Sequence, residues 1–65
     1  MSDFLLQPEG TIAVLYPISK AATQWVADHL PPDAQMWGNG TVIEHRYLEE
    51  ILNGLISDGL TLEGI

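Results

Sequence analysis

"AQMWGNGTVIE", residues 34–44, is the stretch whose reading decides the fold. Asn39-Gly40 is the pair preferred in a type I′ β-turn, where both central residues take positive φ. The flanking Met36-Trp37 and Thr41-Val42-Ile43 are large, apolar or β-branched, as strands favour. The segment therefore reads as a hairpin. With a two-residue loop, Trp37 pairs with Val42 and Met36 with Ile43. Met36 and Ile43 then share one face, and Trp37, Val42 and Glu44 share the other. A three-residue loop over Gly38-Asn39-Gly40 shifts that register.

On either side of the hairpin the apolar spacing changes from strand-like to helical. "HRYLEEILNGLISDG" (45–59) places Tyr47/Leu48, Ile51/Leu52 and Leu55/Ile56 four residues apart, the buried stripe of a helix. Gly54 inside it costs roughly 1 kcal/mol relative to alanine, which suggests close packing. Asp58-Gly59 is a C-terminal stop, with Gly free to turn left-handed. Upstream, "ISKAATQWVADHL" (18–30) reads as a second helix, with Ile18, Ala22, Trp25 and Val26 inward and Lys20, Gln24 and Asp28 wet. Ser19 is its candidate N-cap, and Pro31-Pro32 ends it. "TIAVLY" (11–16) reads as a buried central strand and "LTLEG" (60–64) as a last edge strand. "FLL" (4–6), joined through a "QPEG" turn, is a candidate extra edge strand at the N-terminus.

The expected fold is thus one small α+β domain over residues 1–65, in β-α-β-β-α-β order. That is the split-βαβ pattern, with both helices on one face of a small antiparallel or mixed sheet. Right-handed crossovers place the four strands in the order 4-1-3-2. A less regular three-stranded fold is the alternative. If both helices lie on one face, the other is open. It is expected to show Trp37 and Val42 with Leu15 or Ala13, rimmed by Glu44, Thr61 and Glu63. Alternatively "FLL" folds over it, or Trp37 packs in the core.

Composition narrows the chemistry. Sixty-five residues bury roughly 60% of their unfolded surface, enough for a marginal core. There is no cysteine, so disulfide scaffolds and thiolate metal sites are excluded, and the cytosol is the expected compartment. "MSDFLLQPEG" has no Lys or Arg before its apolar stretch, unlike a signal peptide. No run approaches the ~20 apolar residues of a membrane span.

Nine Asp and Glu face only Lys20 and Arg46, a net charge of −7. Such a field repels nucleic acid and anionic lipid and attracts basic surfaces. It also serves plain solubility. Direct nucleic-acid binding needs several cations at the phosphates, and this chain has two.

Catalytic patterns are not evident. None of the four Thr and three Ser lies in a nucleophile motif. "GNGT" lacks the length and lysine of a phosphate-binding loop. His45 and Glu49, with His29 brought over from the other helix, are too few for a metal site. Glu49 and Glu50 point ~100° apart on a helix, so they are no catalytic carboxylate pair. The expectation is a protein with no catalytic residues, no metal and no cofactor.

The acidic residues of helix 45–59 carry the functional reading. Along the axis Glu44 and Glu50 lie about 9 Å apart, and Glu50 and Asp58 about 12 Å. Arg46 is placed to pair with Glu50 at i,i+4 and cancel part of that charge. Asp28, Asp33 and Glu63 extend the patch if the fold brings them to one side. In length, acidity and lack of cysteine the chain resembles the small phage-encoded anti-CRISPR proteins. Among these, DNA mimics block the DNA-binding channel of a CRISPR surveillance complex. The likeness rests on Asp28, Asp33, Glu44, Glu49, Glu50, Asp58 and Glu63 and is one of size and charge alone. It implies an inhibitor in the host-cell cytosol that occupies a basic nucleic-acid-binding groove, without catalysis or cofactor. The other reading is a non-catalytic interaction module, monomer or homodimer, that uses the open sheet face around Trp37 and Val42.

Overall fold

The computed structural model describes residues 2–31 and 33–64. The chain runs β1 (Phe4–Glu9), β2 (Ile12–Pro17), α1 (Lys20–His29), β3 (Met36–Trp37), β4 (Gly40–Glu44), α2 (His45–Ser57) and β5 (Leu62–Gly64). This is the expected α+β order with the additional N-terminal strand. The five strands form one sheet in the order β3-β4-β2-β1-β5.

The additional strand is not at the edge. It lies between β2 and β5, antiparallel to the first and parallel to the second. Without it the remaining strands keep the split-βαβ order. Two features make the insertion work. The turn falls at Gly10-Thr11, with Gly10 at φ 66°, so β1 runs straight through Gln7-Pro8-Glu9 where a turn was expected. Pro8 is tolerated there because β5 pairs only with Phe4–Leu6. Beyond Leu6 the outer side of β1 is a free edge, where a missing N–H costs no ladder bond.

The 34–44 hairpin also differs in detail. Its loop is Gly38-Asn39, so Trp37 pairs with Gly40 and Met36 with Thr41. Gly38 has φ 60° and Asn39 does not have positive φ, the type II′ signature and not type I′. The slide is two residues, an even number, so the faces survive. Met36 stays with Ile43, and Trp37 with Val42 and Glu44.

Both helices cover the face that carries Phe4, Leu6, Leu15 and Ile43. There Phe4, Leu15, Ala22, Trp25, Ile43 and Leu55 form the buried core, flanked by Leu48, Ile51, Leu60 and Leu62. Trp25 is its center. Its ring meets Phe4 edge-on at 6.0 Å, stacks on His29 at 4.4 Å, and donates its indole N–H to Asp58 (2.7 Å). Gly54 faces Trp25, but an added Cβ there would sit 3.5 Å from the indole, an ordinary contact. Close approach alone does not require glycine at 54.

Both helix ends follow from sequence. The Ser19 hydroxyl accepts from Ala22 N–H (3.0 Å), the expected N-cap. Leu30, restricted by the proline that follows, is extended at φ −98°, ψ 150° and closes α1. At the end of α2, Leu60 N–H donates to Leu55 and Gly59 N–H to Ile56, with Gly59 at φ 83°. This is a Schellman closure, with Leu60 and Leu55 in the same core.

Asp3 ties the two ends of the chain to α1. Its carboxylate accepts from Ser19 Oγ (2.6 Å), Thr61 N (3.0 Å) and Thr61 Oγ1 (3.2 Å). The Ser19 hydroxyl, and next the Thr61 backbone N–H, hold its carboxyl below the ordinary carboxylate range. A depressed folded-state pKa contributes stability above the unfolded value, 3.8, and that stability is lost as pH falls through the folded value. The wild-type chain is therefore expected to be more stable than Asp3→Asn near pH 6, with the gap closing below about pH 4. Urea midpoints of both chains across that range give the check, and a gap independent of pH refutes it.

Candidate interaction surface

The second face of the sheet carries no helix. Strand alternation puts Leu5, Ile12, Val14, Tyr16, Trp37 and Val42 on it. Leu15 and Ala13, which were candidates for this face, point to the helices instead, because Ala13 pairs with Ile43 and Leu15 with Leu6. Val14 is fully buried although it lies on the uncovered side and outside the helix-covered core cluster. It sits between Val42 and Gln7, its partners on the two neighbouring strands.

At the β3 end of this face the chain folds closely on itself. A Cβ on Gly40 would lie 2.5 Å from Val14 Cγ1 and 2.6 Å from Tyr16 Cε1, so those side chains take the space a side chain at 40 would need. Opposite Gly40, Trp37 is 45% exposed, a large apolar ring presented to solvent. "FLL" does not fold over this surface and Trp37 is not in the core. Leu5, Ile12 and Val42 are half-buried.

Carboxylates border this apolar center. Ile12 lies between Glu9 on β1 and Glu44 on β4, and Leu5 lies opposite Glu63 on β5. All three Glu are exposed. Thr61 falls outside the strands and is engaged with Asp3. Glu9, Leu5 and Ile12 are the members of this surface missed in sequence. Continuing the alternation of Leu5 and Gln7 through Pro8 would have found Glu9.

The other expected site residues are dispersed. Glu49 and Glu50 are both exposed on α2 and project ~100° apart. Glu50 lies on the flank facing the end of α1, where it and Glu44 line a cleft. Asp28 accepts from Gln24 Nε2 (3.0 Å) on the wet side of α1. Asp33 is exposed in the connection before β3. Asp58 is committed to the Trp25 indole, with His29 Nε2 3.6 Å away. Arg46 pairs with Glu44 (3.3 Å) instead of Glu50, and its guanidinium lies over the Tyr47 ring at 4.8 Å. Of the expected residues the fold thus brings Trp37, Glu44 and Glu63 to one sheet face, and Glu44 and Glu50 to one cleft.

Among the described residues no group of three or more His, Asp or Glu side chains is placed to hold a metal. No helix of the described residues is long and apolar enough to cross a membrane. Compared with models of protein families, with curated proteins and with solved structures, the chain has no significant match.

Proposed function

We propose that this chain is a non-catalytic protein-binding module, acting in the cytosol, that docks through the uncovered face of its sheet onto a basic surface of another protein. The observation that carries this reading is an apolar surface with Trp37 at its β3 edge and Val42, Ile12 and Leu5 across it, Glu9 and Glu44 flanking Ile12 and Glu63 beside Leu5, on a chain of net charge −7. An exposed aromatic on an apolar surface with carboxylates at its margin has the composition of a protein interface. The charge favours a basic partner over a second copy. Face-to-face pairing of two copies sets three rim carboxylates against three more, and −7 against −7.

The narrower reading makes the partner's basic surface a nucleic-acid-binding groove, as the resemblance to anti-CRISPR DNA mimics implies. The −7 charge supports it, because such a groove gains the same Coulomb attraction and releases the same kind of counterion as with phosphate. In that reading the mimicry works through the rim of the open face.

The test combines self-association with capture. Sedimentation at low and high salt is expected to show a 7.2 kDa monomer at both. A host-lysate partner captured at low salt is expected to lose binding at least tenfold with Trp37→Ala, and likewise when Glu9, Glu44 and Glu63 are all changed to lysine. In the narrower reading, duplex DNA displaces the chain. A salt-insensitive dimer broken by Trp37→Ala, or a partner indifferent to both variants, overturns the proposal.

A further inference from the structure

Edge strand β3 is two residues long and pairs only with Gly40 and Thr41. Beyond that point the outer flank of β4 has no neighbouring strand. There the connection before β3 is tied to β4 by Val42 N–H donating to the Gln35 carbonyl (2.9 Å), and Ala34 N–H donates to Pro31 (3.1 Å). A loop does not fill space as a strand or helix does. Between it, β4 and the first turns of α2 a cleft of about 380 Å³ remains. This is within the roughly 300–1,000 Å³ range of small-molecule sites.

Leu30, Ile43, Tyr47 and Ile51 supply apolar walls, Glu44 and Glu50 supply carboxylates, and His29 and Thr41 complete the polar part of the lining. Both Glu are exposed, so their charges stand at the solvent side of the cleft. Arg46 is paired with Glu44. Among the described residues Glu50 has no ion-pair partner, which leaves it as the principal anchor. We infer that this cleft binds small amphipathic amines, with the apolar body against Ile43 and Ile51 and the ammonium at Glu50. The net charge of −7 draws cations toward the protein and opposes an anionic ligand in the same space. Glu44 borders both this cleft and the open sheet face, whereas Glu50 and Ile51 belong to the cleft alone.

Three probes sharing one body isolate the charge: 2-phenylethylammonium, 2-phenylethanol and 3-phenylpropanoate. Titrations followed by NMR at the Ile43 and Ile51 methyls and the Tyr47 ring are expected to rank them in that order. The ammonium should bind about three- to fivefold more tightly than the alcohol at low salt, the scale of one exposed ion pair. Glu50→Gln should remove most of that advantage while leaving the alcohol's affinity unchanged, and Glu44→Gln should remove less. Glu49→Gln, which lies outside the cleft lining, and Trp37→Ala should change neither. Absence of saturable shifts at Ile43 and Ile51, equal binding of alcohol and ammonium, or an ammonium preference that survives Glu50→Gln would each overturn the assignment.

Discussion

Trp25→Ala is expected to lower the urea midpoint more than any other substitution described for this chain. The side chain is only 7% exposed and lies at the center of the core cluster. It touches both ends of the fold, through Phe4 at the start of β1 and Asp58 just after α2. Truncating a buried tryptophan costs about 3–5 kcal/mol, since the lost burial adds to a cavity the neighbours refill only in part. A 65-residue domain has roughly 3–10 kcal/mol in total. The substitution thus removes a large share of the stability, with no disulfide to compensate. Far-ultraviolet circular dichroism and urea titration read the outcome. Trp25→Phe keeps a ring against Phe4 and loses the bond to Asp58, so it is expected to fold with a lower urea midpoint. A Trp25→Ala chain that unfolds at the wild-type midpoint would show that the core lies elsewhere.

The second large effect contrasts two glycines. Gly40→Ala places a Cβ 2.5–2.8 Å from Val14 and Tyr16 atoms. Val14 is fully buried and has little room to retreat, so the sheet must shift. Overpacking of this kind costs about 1–3 kcal/mol. Gly40 does not have positive φ, so the cost is steric and not a strained backbone. Val14→Ala in the same chain is expected to recover part of it, with a coupling on the order of 1 kcal/mol between the two sites. Gly54→Ala meets Trp25 only at 3.5 Å and gains helix propensity. It is expected to be stabilising by up to about 1 kcal/mol. Urea denaturation of the four variants decides the matter. The same sign at both glycines contradicts the packing described for them.

The rank of these effects bears on function. Trp25 and Gly40 hold the scaffold, whereas Trp37, Glu9, Glu44, Glu63 and Glu50 are exposed and should be replaceable without unfolding. Loss of binding in the second group with an unchanged urea midpoint separates a surface role from a structural one.

Much of the candidate surface was legible before the fold was known. The even-numbered alternation of 34–44 placed Trp37, Val42 and Glu44 together, and a two-residue register slide does not disturb that. Other parts were not. "TIAVLY" is apolar on both faces, so alternation cannot say whether Leu15 or Val14 turns to the helices. "FLL" is too short to announce that its strand continues through a proline to Glu9. Both omissions hid members of the open face.

Local chemistry by itself determined both helices, where α1 and α2 begin and end, and the α+β order. Caps, prolines, left-handed glycines and apolar period act within a few residues, and those are contiguous in the chain. Only the tertiary structure decided that β1 enters between β2 and β5, that Gly40 belongs to a strand and not to a turn, and that Arg46 takes Glu44 over Glu50. Each depends on which distant surfaces share the space. Phe4 and Leu6 reach the core only if β1 lies beside β2, and Val14 and Tyr16 leave no volume at position 40 for any side chain.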